Sequence, residues 1–131
     1  MSDPSLAVQS ALVAALKALS TEAGTRVYDL PPADAAAPYI SVGGGQTVPM
    51  DETCWDASEV FVQVDVWSEE PGYPQVKRIA GAIRAALHDQ PVTLTGHVCD
   101  RCEVRNISYS RERDGLTSRA RIDLLLTTQP A

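Results

Sequence analysis

The clearest pattern in the chain is EVFVQVDVWS, residues 59–68. Val60, Val62, Val64 and Val66 fall on one side, and Glu59, Phe61, Gln63, Asp65 and Trp67 on the other. Strict alternation is the period of a β-strand. The valine side is core. The other side mixes polar groups with two aromatics, a composition suited to partial cover, as by a neighbouring subunit. A different period follows. Val76, Ile79, Ala80, Ile83 and Leu87 stand at i, i+3, i+4, i+7 and i+11, which is one apolar stripe of a helix. Lys77 and Arg84 fall off that stripe, Pro74 suits the first turn, and Pro91 lies beyond the end. A second helix is predicted over 4–20. It is rich in alanine, the best helix former, and Leu6, Leu12, Val13, Leu16 and Leu19 recur along it. Asp3 or Ser2 can cap it, and Gly24 is a plausible stop.

The remaining segments read as strands and turns. TRVYDL is a short strand stopped by Pro31 and Pro32, and YISVGGGQ is a strand running into glycines. QTVPMDETCWDAS reads as a long polar hairpin loop. PVTLTG, CEVRNISYSRER and SRARIDLLLTT are three further strands, the last two joined by a turn at Asp114-Gly115. The order α-β-β-β-α-β-β-β predicts an α+β fold in a single domain, 1–131. Its sheet is mainly antiparallel and packed by two α-helices on one face.

Charge narrows the function classes. The 131 residues carry a formal net charge of −6. Nonspecific nucleic-acid binding depends on neutralising phosphates, so this balance argues against it without excluding DNA passing nearby. No apolar run is long enough to span a bilayer. MSDPSLAVQ has no basic region before an apolar one, so no secretory signal is expected. Three cysteines without a signal read as free thiols in a reducing compartment.

Candidate chemistry centres on HVCDRC, residues 97–102. His97, Cys99 and Cys102 could give three zinc ligands and Cys54 a fourth, since structural zinc takes four N or S donors. A strong zinc signal has two separated CxxC pairs, and here there is one. Redox chemistry wants the pair at a helix N-terminus, whereas this pair is expected just ahead of a strand, where cysteines pack as small hydrophobes. Gly43-Gly44-Gly45 has no P-loop lysine and makes no dinucleotide fingerprint. No GxSxG is present. Asp51, Glu52, Asp56 and Glu59 form an acidic stretch without a cation-loop pattern. Against it stands a concentration of arginines, Arg105, Arg111, Arg113, Arg119 and Arg121, on the expected terminal hairpin. Such charges can be a solvated face, or can pair with an acidic surface on another copy.

Several words in sequence order carry a resemblance: GTRVY (24–28), PYISVGGG (38–45), VFVQVDVWS (60–68), KRIAGAIRAAL and SRERDGLTSRARIDLLL. From Leu6 to about Thr127 the chain resembles the tail completion, or tail terminator, proteins of long-tailed phages and phage-like gene transfer agents. The resemblance implies a non-enzymatic virion protein without a cofactor, made in the host bacterial cytoplasm. It implies a hexameric homo-oligomer, a ring that ends the tail tube and meets a head-completion or neck protein, with DNA passing through its channel. A ring needs two complementary patches per copy. Arg111, Arg113, Arg119 and Arg121 against Asp51, Glu52, Asp56 and Glu59 are the expected pair. No CxxC belongs to this pattern. The competing reading is a small cytoplasmic zinc-stabilised binding module using His97, Cys99, Cys102 and Cys54; an enzyme has no motif in its favour.

Overall fold

The computed structural model describes residues 3–50 and 57–131. Within them the chain forms α1 (Ser5–Leu19), β1 (Val27–Tyr28), β2 (Tyr39–Pro49), β3 (Ser58–Ser68), α2 (Pro74–Leu87), β4 (His97–Arg111) and β5 (Ser118–Pro130). The strands make one sheet in the order β1-β2-β3-β5-β4. β1 runs parallel to β2, and every other neighbouring pair is antiparallel. This is the expected α+β arrangement.

Both helices cover one face. Val60, Val62, Val64 and Val66 of β3 meet Ile122, Leu124 and Leu126 of β5, with Ile40 and Val42 of β2 beside them. Onto this layer α1 buries Val8, Leu12 and Leu16, and α2 buries Val76, Ile79, Ala80, Ile83 and Leu87. The alternation in β3 and the stripe in α2 thus become two halves of one core. Burying each such Val, Leu or Ile side chain contributes about 1.5–3 kcal/mol.

Three elements differ from the sequence expectation, each for a local reason. PVTLTG makes no strand, only an isolated bridge between Thr93 and Val98, so the order is α-β-β-β-α-β-β. Gly96, at φ +78°, turns the chain straight back into β4 and leaves no length for more. β2 does not stop at its glycines. It continues to Pro49 across a register shift between Val42 and Gly45. β4 starts at His97, so HVCDRC lies inside the strand rather than ahead of it. Register shifts between Cys99 and Arg101 and between Val104 and Asn106 break its alternation.

A side chain ties one end of each helix to the sheet. The Asp3 carboxylate accepts the Ser5 N–H at 2.8 Å and the Thr47 hydroxyl at 3.0 Å, tying the start of α1 to β2. These bonds, the Ser5 backbone bond first, hold its pKa below the usual carboxylate range. α1 ends at Ser20 in a left-handed conformation, φ 54°, ahead of the expected Gly24. At the end of α2, His88 Nδ1 accepts the Val104 N–H at 3.0 Å, and the Asp89 N–H donates to the Cys102 carbonyl at 2.8 Å. This junction clips α2 to the outer side of β4.

Candidate functional site

The helices leave the other face of the sheet open, and strand register arranges its side chains in rows. One row runs Tyr39, Trp67, Arg119, Ser110 across β2, β3, β5 and β4; the next runs Ser41, Asp65, Arg121, Ser108. Tyr39 stacks on Trp67, with ring centroids 6.1 Å apart, and the Arg119 guanidinium lies 4.8 Å from the Trp67 ring. Trp67 Nε1 donates to Ser41 Oγ at 3.1 Å. Tyr28 of β1 extends the aromatic row at 6.1 Å from Tyr39. Cross-strand neighbours of this kind stabilise a sheet side by side.

Asp65 is the hub of the second row. It is buried at 8% exposure, and one carboxylate oxygen accepts Arg119 Nε at 3.0 Å and Arg121 Nε at 3.3 Å. Two of the four arginines assigned to an intermolecular patch are therefore already paired within the chain. Arg111 lies 4.8 Å over the Tyr73 ring. Arg113 is exposed in the β4–β5 turn and has no ion pair among the described residues. Of the acidic stretch, Asp51, Glu52 and Asp56 lie outside the described residues. Glu59 sits opposite Thr127, at the end of the sheet away from Arg119. Glu59 and Arg119 are thus at opposite ends of β3 and β5.

Further along the face, Gly44, Gly45, Phe61, Gln63, Arg105 and Asp123 line a depression of about 480 Å³. It exists because the glycines carry no side chains beside Phe61 and Gln63. Gly45 is required there: a Cβ would overlap the Phe61 carbonyl oxygen. Arg105 and Asp123 have no ion pair among the described residues. Sequence pattern could not find this feature, because Arg105 sits at a register shift and the other walls come from β2, β3 and β5.

HVCDRC takes a structural place. Cys102 is fully buried, and burial first, then the neighbouring Cys99, pushes its thiol up to about 12. Burial also raises Cys99, whose thiol donates to the Arg101 carbonyl at 3.4 Å. Both cysteines are free. Among the described residues no group of three or more His, Cys, Asp or Glu is placed to hold a metal ion. His97, Cys99 and Cys102 lie along one strand with a register shift between the two cysteines. Cys54, the fourth candidate, lies outside the described residues.

Comparison with known proteins gives a consistent direction. The family described as "Tail completion protein gp17" matches residues 7–129. A solved chain from the virion of a native gene transfer agent particle has a TM-score of 0.84. It is 20% identical, and the match covers 98% of this chain and 99% of that one. A second solved chain matches more loosely, with a TM-score of 0.56 and 17% identity over 96% of this chain and 92% of its own. At these identities the structural likeness is one of fold. No curated protein matches the sequence.

Proposed function

The chain belongs to the family of tail completion protein gp17, and from that membership we propose that it closes the head-proximal end of a tail tube as a ring of six copies. It is a structural component of a phage or phage-like tail. Its partners are then further copies of itself, the tail tube protein below and a head-completion or neck protein above. DNA passes through the channel of the ring without sequence-specific contact. An acidic surface suits that passage, because it offers no phosphate trap. No described helix is long and apolar enough to cross a membrane.

The observation that carries this reading is the family match across residues 7–129. The open sheet face supports it. Its depression holds Arg105 and Asp123 without an ion pair among the described residues, as a subunit that completes itself by assembly would have. Charge pairing between copies belongs to the proposal too: Arg111, Arg113, Arg119 and Arg121 of one copy against the stretch Asp51, Glu52, Asp56 and Glu59 of another. Arg113, unpaired in the chain, is the cleanest of the four to reverse.

Deletion tests the function. Cells making the particle without this chain should accumulate heads and tails that do not join, and a wild-type copy should restore joining. Complete particles assembled in its absence would refute the role. Within that assay Arg113→Glu should lower the yield of joined particles several-fold while the purified variant keeps its melting temperature.

A further inference from the structure

The sheet treats its two edges differently. On β4, the outward Val104 N–H and Cys102 carbonyl are taken by His88 and Asp89 at the end of α2. Arg101 and Glu103 add charge there, and two register shifts bend the strand. These are the usual protections of an edge. Beyond the second shift, residues 106–110 (Asn-Ile-Ser-Tyr-Ser) are uncharged, and no described strand lies on their outer side. On the opposite edge β1 covers β2 only at Ile40 and Ser41. From Val42 to Val48 the outer side of β2 has no described strand beside it, and the segment carries no charged side chain of its own, although the Asp3 carboxylate accepts the Thr47 hydroxyl on the helix side. An open, uncharged edge is a template for another strand.

The space around β2 has the form a strand would need. The open-face depression and a second one of about 360 Å³ on the helix side, beside Asp3, Ser5 and Gln9, share Gly44, Gly45 and Phe61 in their walls. They meet at one stretch of edge from opposite faces. A strand laid there would pair backbone to backbone and drop alternate side chains into the two depressions.

We propose that residues 42–48 of β2 pair, antiparallel, with residues 106–110 of β4 from a second copy, and that this is the side-by-side contact of the ring. The inference rests on the ring reading. β2 and β4 run in opposite directions within the sheet, so a neighbour related by rotation about an axis along the strands presents them antiparallel. Side-chain chemistry matches. Asn106, Ser108 and Ser110 project on the open face, on the side of the depression walled by Gly44, Arg105 and Asp123 of the other copy. Ile107 and Tyr109 project on the helix side; Tyr109 packs edge-on against Tyr73 under Lys77 of its own chain, and its exposed part faces the polar wall of Asp3, Ser5 and Gln9 of the other copy. Val42 is level with Ile107 within one copy, through Val64 and Ile122. The register shift at the glycines puts Gln46, on the open face opposite Phe61, three steps beyond Val42, so centring Ser108 on Gln46 keeps the faces matched and staggers neighbours by four residues, about 13 Å at strand rise, and a sheet that closes on itself needs a stagger.

The test is Gly44→Lys. A side chain at Gly44 meets open space, so the isolated subunit should fold with an unchanged melting temperature, while the lysine puts a charge on the proposed seam. Wild type and variant are each mixed with purified tail tubes. Capped ends are counted by electron microscopy, and backbone amide exchange is compared between free and tube-bound protein. Wild type should cap tubes with rings, with amides in 42–48 and 106–110 protected at least tenfold on capping; the variant should cap at least tenfold fewer ends. Wild-type rings with equal capping by the variant, or without new protection in those two segments, overturn the edge contact and leave the ring. Wild type that caps no tubes overturns the ring reading and the edge contact with it.

Discussion

Gly45 offers the sharpest test of how the sheet is held. Replacing it with alanine adds one methyl group. The new Cβ would overlap the Phe61 carbonyl oxygen, lie 2.7 Å from its carbonyl carbon and 3.1 Å from Val62 Cα. All three are backbone atoms of the central strand, so no side chain can swing aside. β2 must move away from β3 over the stretch Gly45↔Val62 to Pro49↔Ser58, loosening Thr47 and its bond to Asp3. Overpacking usually costs 1–3 kcal/mol, and a clash between two backbones belongs at the upper end, about 3 kcal/mol. For a domain of this size that corresponds to a melting point lowered by about 10–15 °C. Gly44 is the internal control: nothing lies within 4 Å of a Cβ there, so Gly44→Ala should stay within about 1 kcal/mol of wild type or gain slightly from the stiffer unfolded chain. Thermal and urea unfolding of purified protein, followed by circular dichroism, measure both. A Gly45→Ala protein within 1 kcal/mol of wild type, or a Gly44→Ala protein equally damaged, would refute the close approach of β2 to β3.

Asp65→Asn should destabilise by about 1–3 kcal/mol, since it leaves two partly covered arginines without their carboxylate; a double-mutant cycle with Arg119→Ala should show coupling, and additive losses would mean the pair does not interact. Cys102 should resist iodoacetamide at pH 8 in the native protein and react on unfolding, because burial holds its thiol protonated up to about 12; peptide mapping that finds it labelled at the unfolded rate would place it at the surface. The Asp89 carboxyl is held low by its hydrogen bond from Arg101, and that of Asp114 by the Thr117 and Leu116 N–H groups. A depressed folded pKa gives stability that is present above the unfolded value, about 3.9, and lost as pH falls through the folded one. Melting temperature should therefore drop below about pH 4, and less steeply in Asp89→Asn; an identical acid profile would deny the Arg101–Asp89 pair any share in that slope.

The sequence revealed those parts of the fold in which period and burial coincide. β3 alternates without interruption because all four of its valines face the helices, and α2 keeps one stripe because it lies flat on the sheet. Legibility fails where the backbone slips. The register shift at the glycines hid the second half of β2. The shifts after Cys99 and Val104 hid the start of β4 and the placement of Arg105. PVTLTG has strand-forming residues, but Gly96 turns the chain before a ladder can grow. The site was legible only as a hint. Phe61, Gln63, Asp65 and Trp67 marked a second, mixed face of β3, but the capture of Arg119 and Arg121 by Asp65 depends on the register of β5 against β3, which one sequence does not encode locally. The arginines looked like an external patch because their partner lies more than fifty residues away. The HVCDRC stretch looked like a site because three ligand types stood together; packing made Cys102 part of the core instead.

Cryo-electron microscopy of intact particles, with this chain identified by its fold and side chains in the density, tests the central claim most directly. The account predicts one ring of six copies at the head-proximal end of every tail, with the tube below it and the neck above. Density for the chain elsewhere in the particle, a different number of copies, or joined particles that lack it would contradict the account.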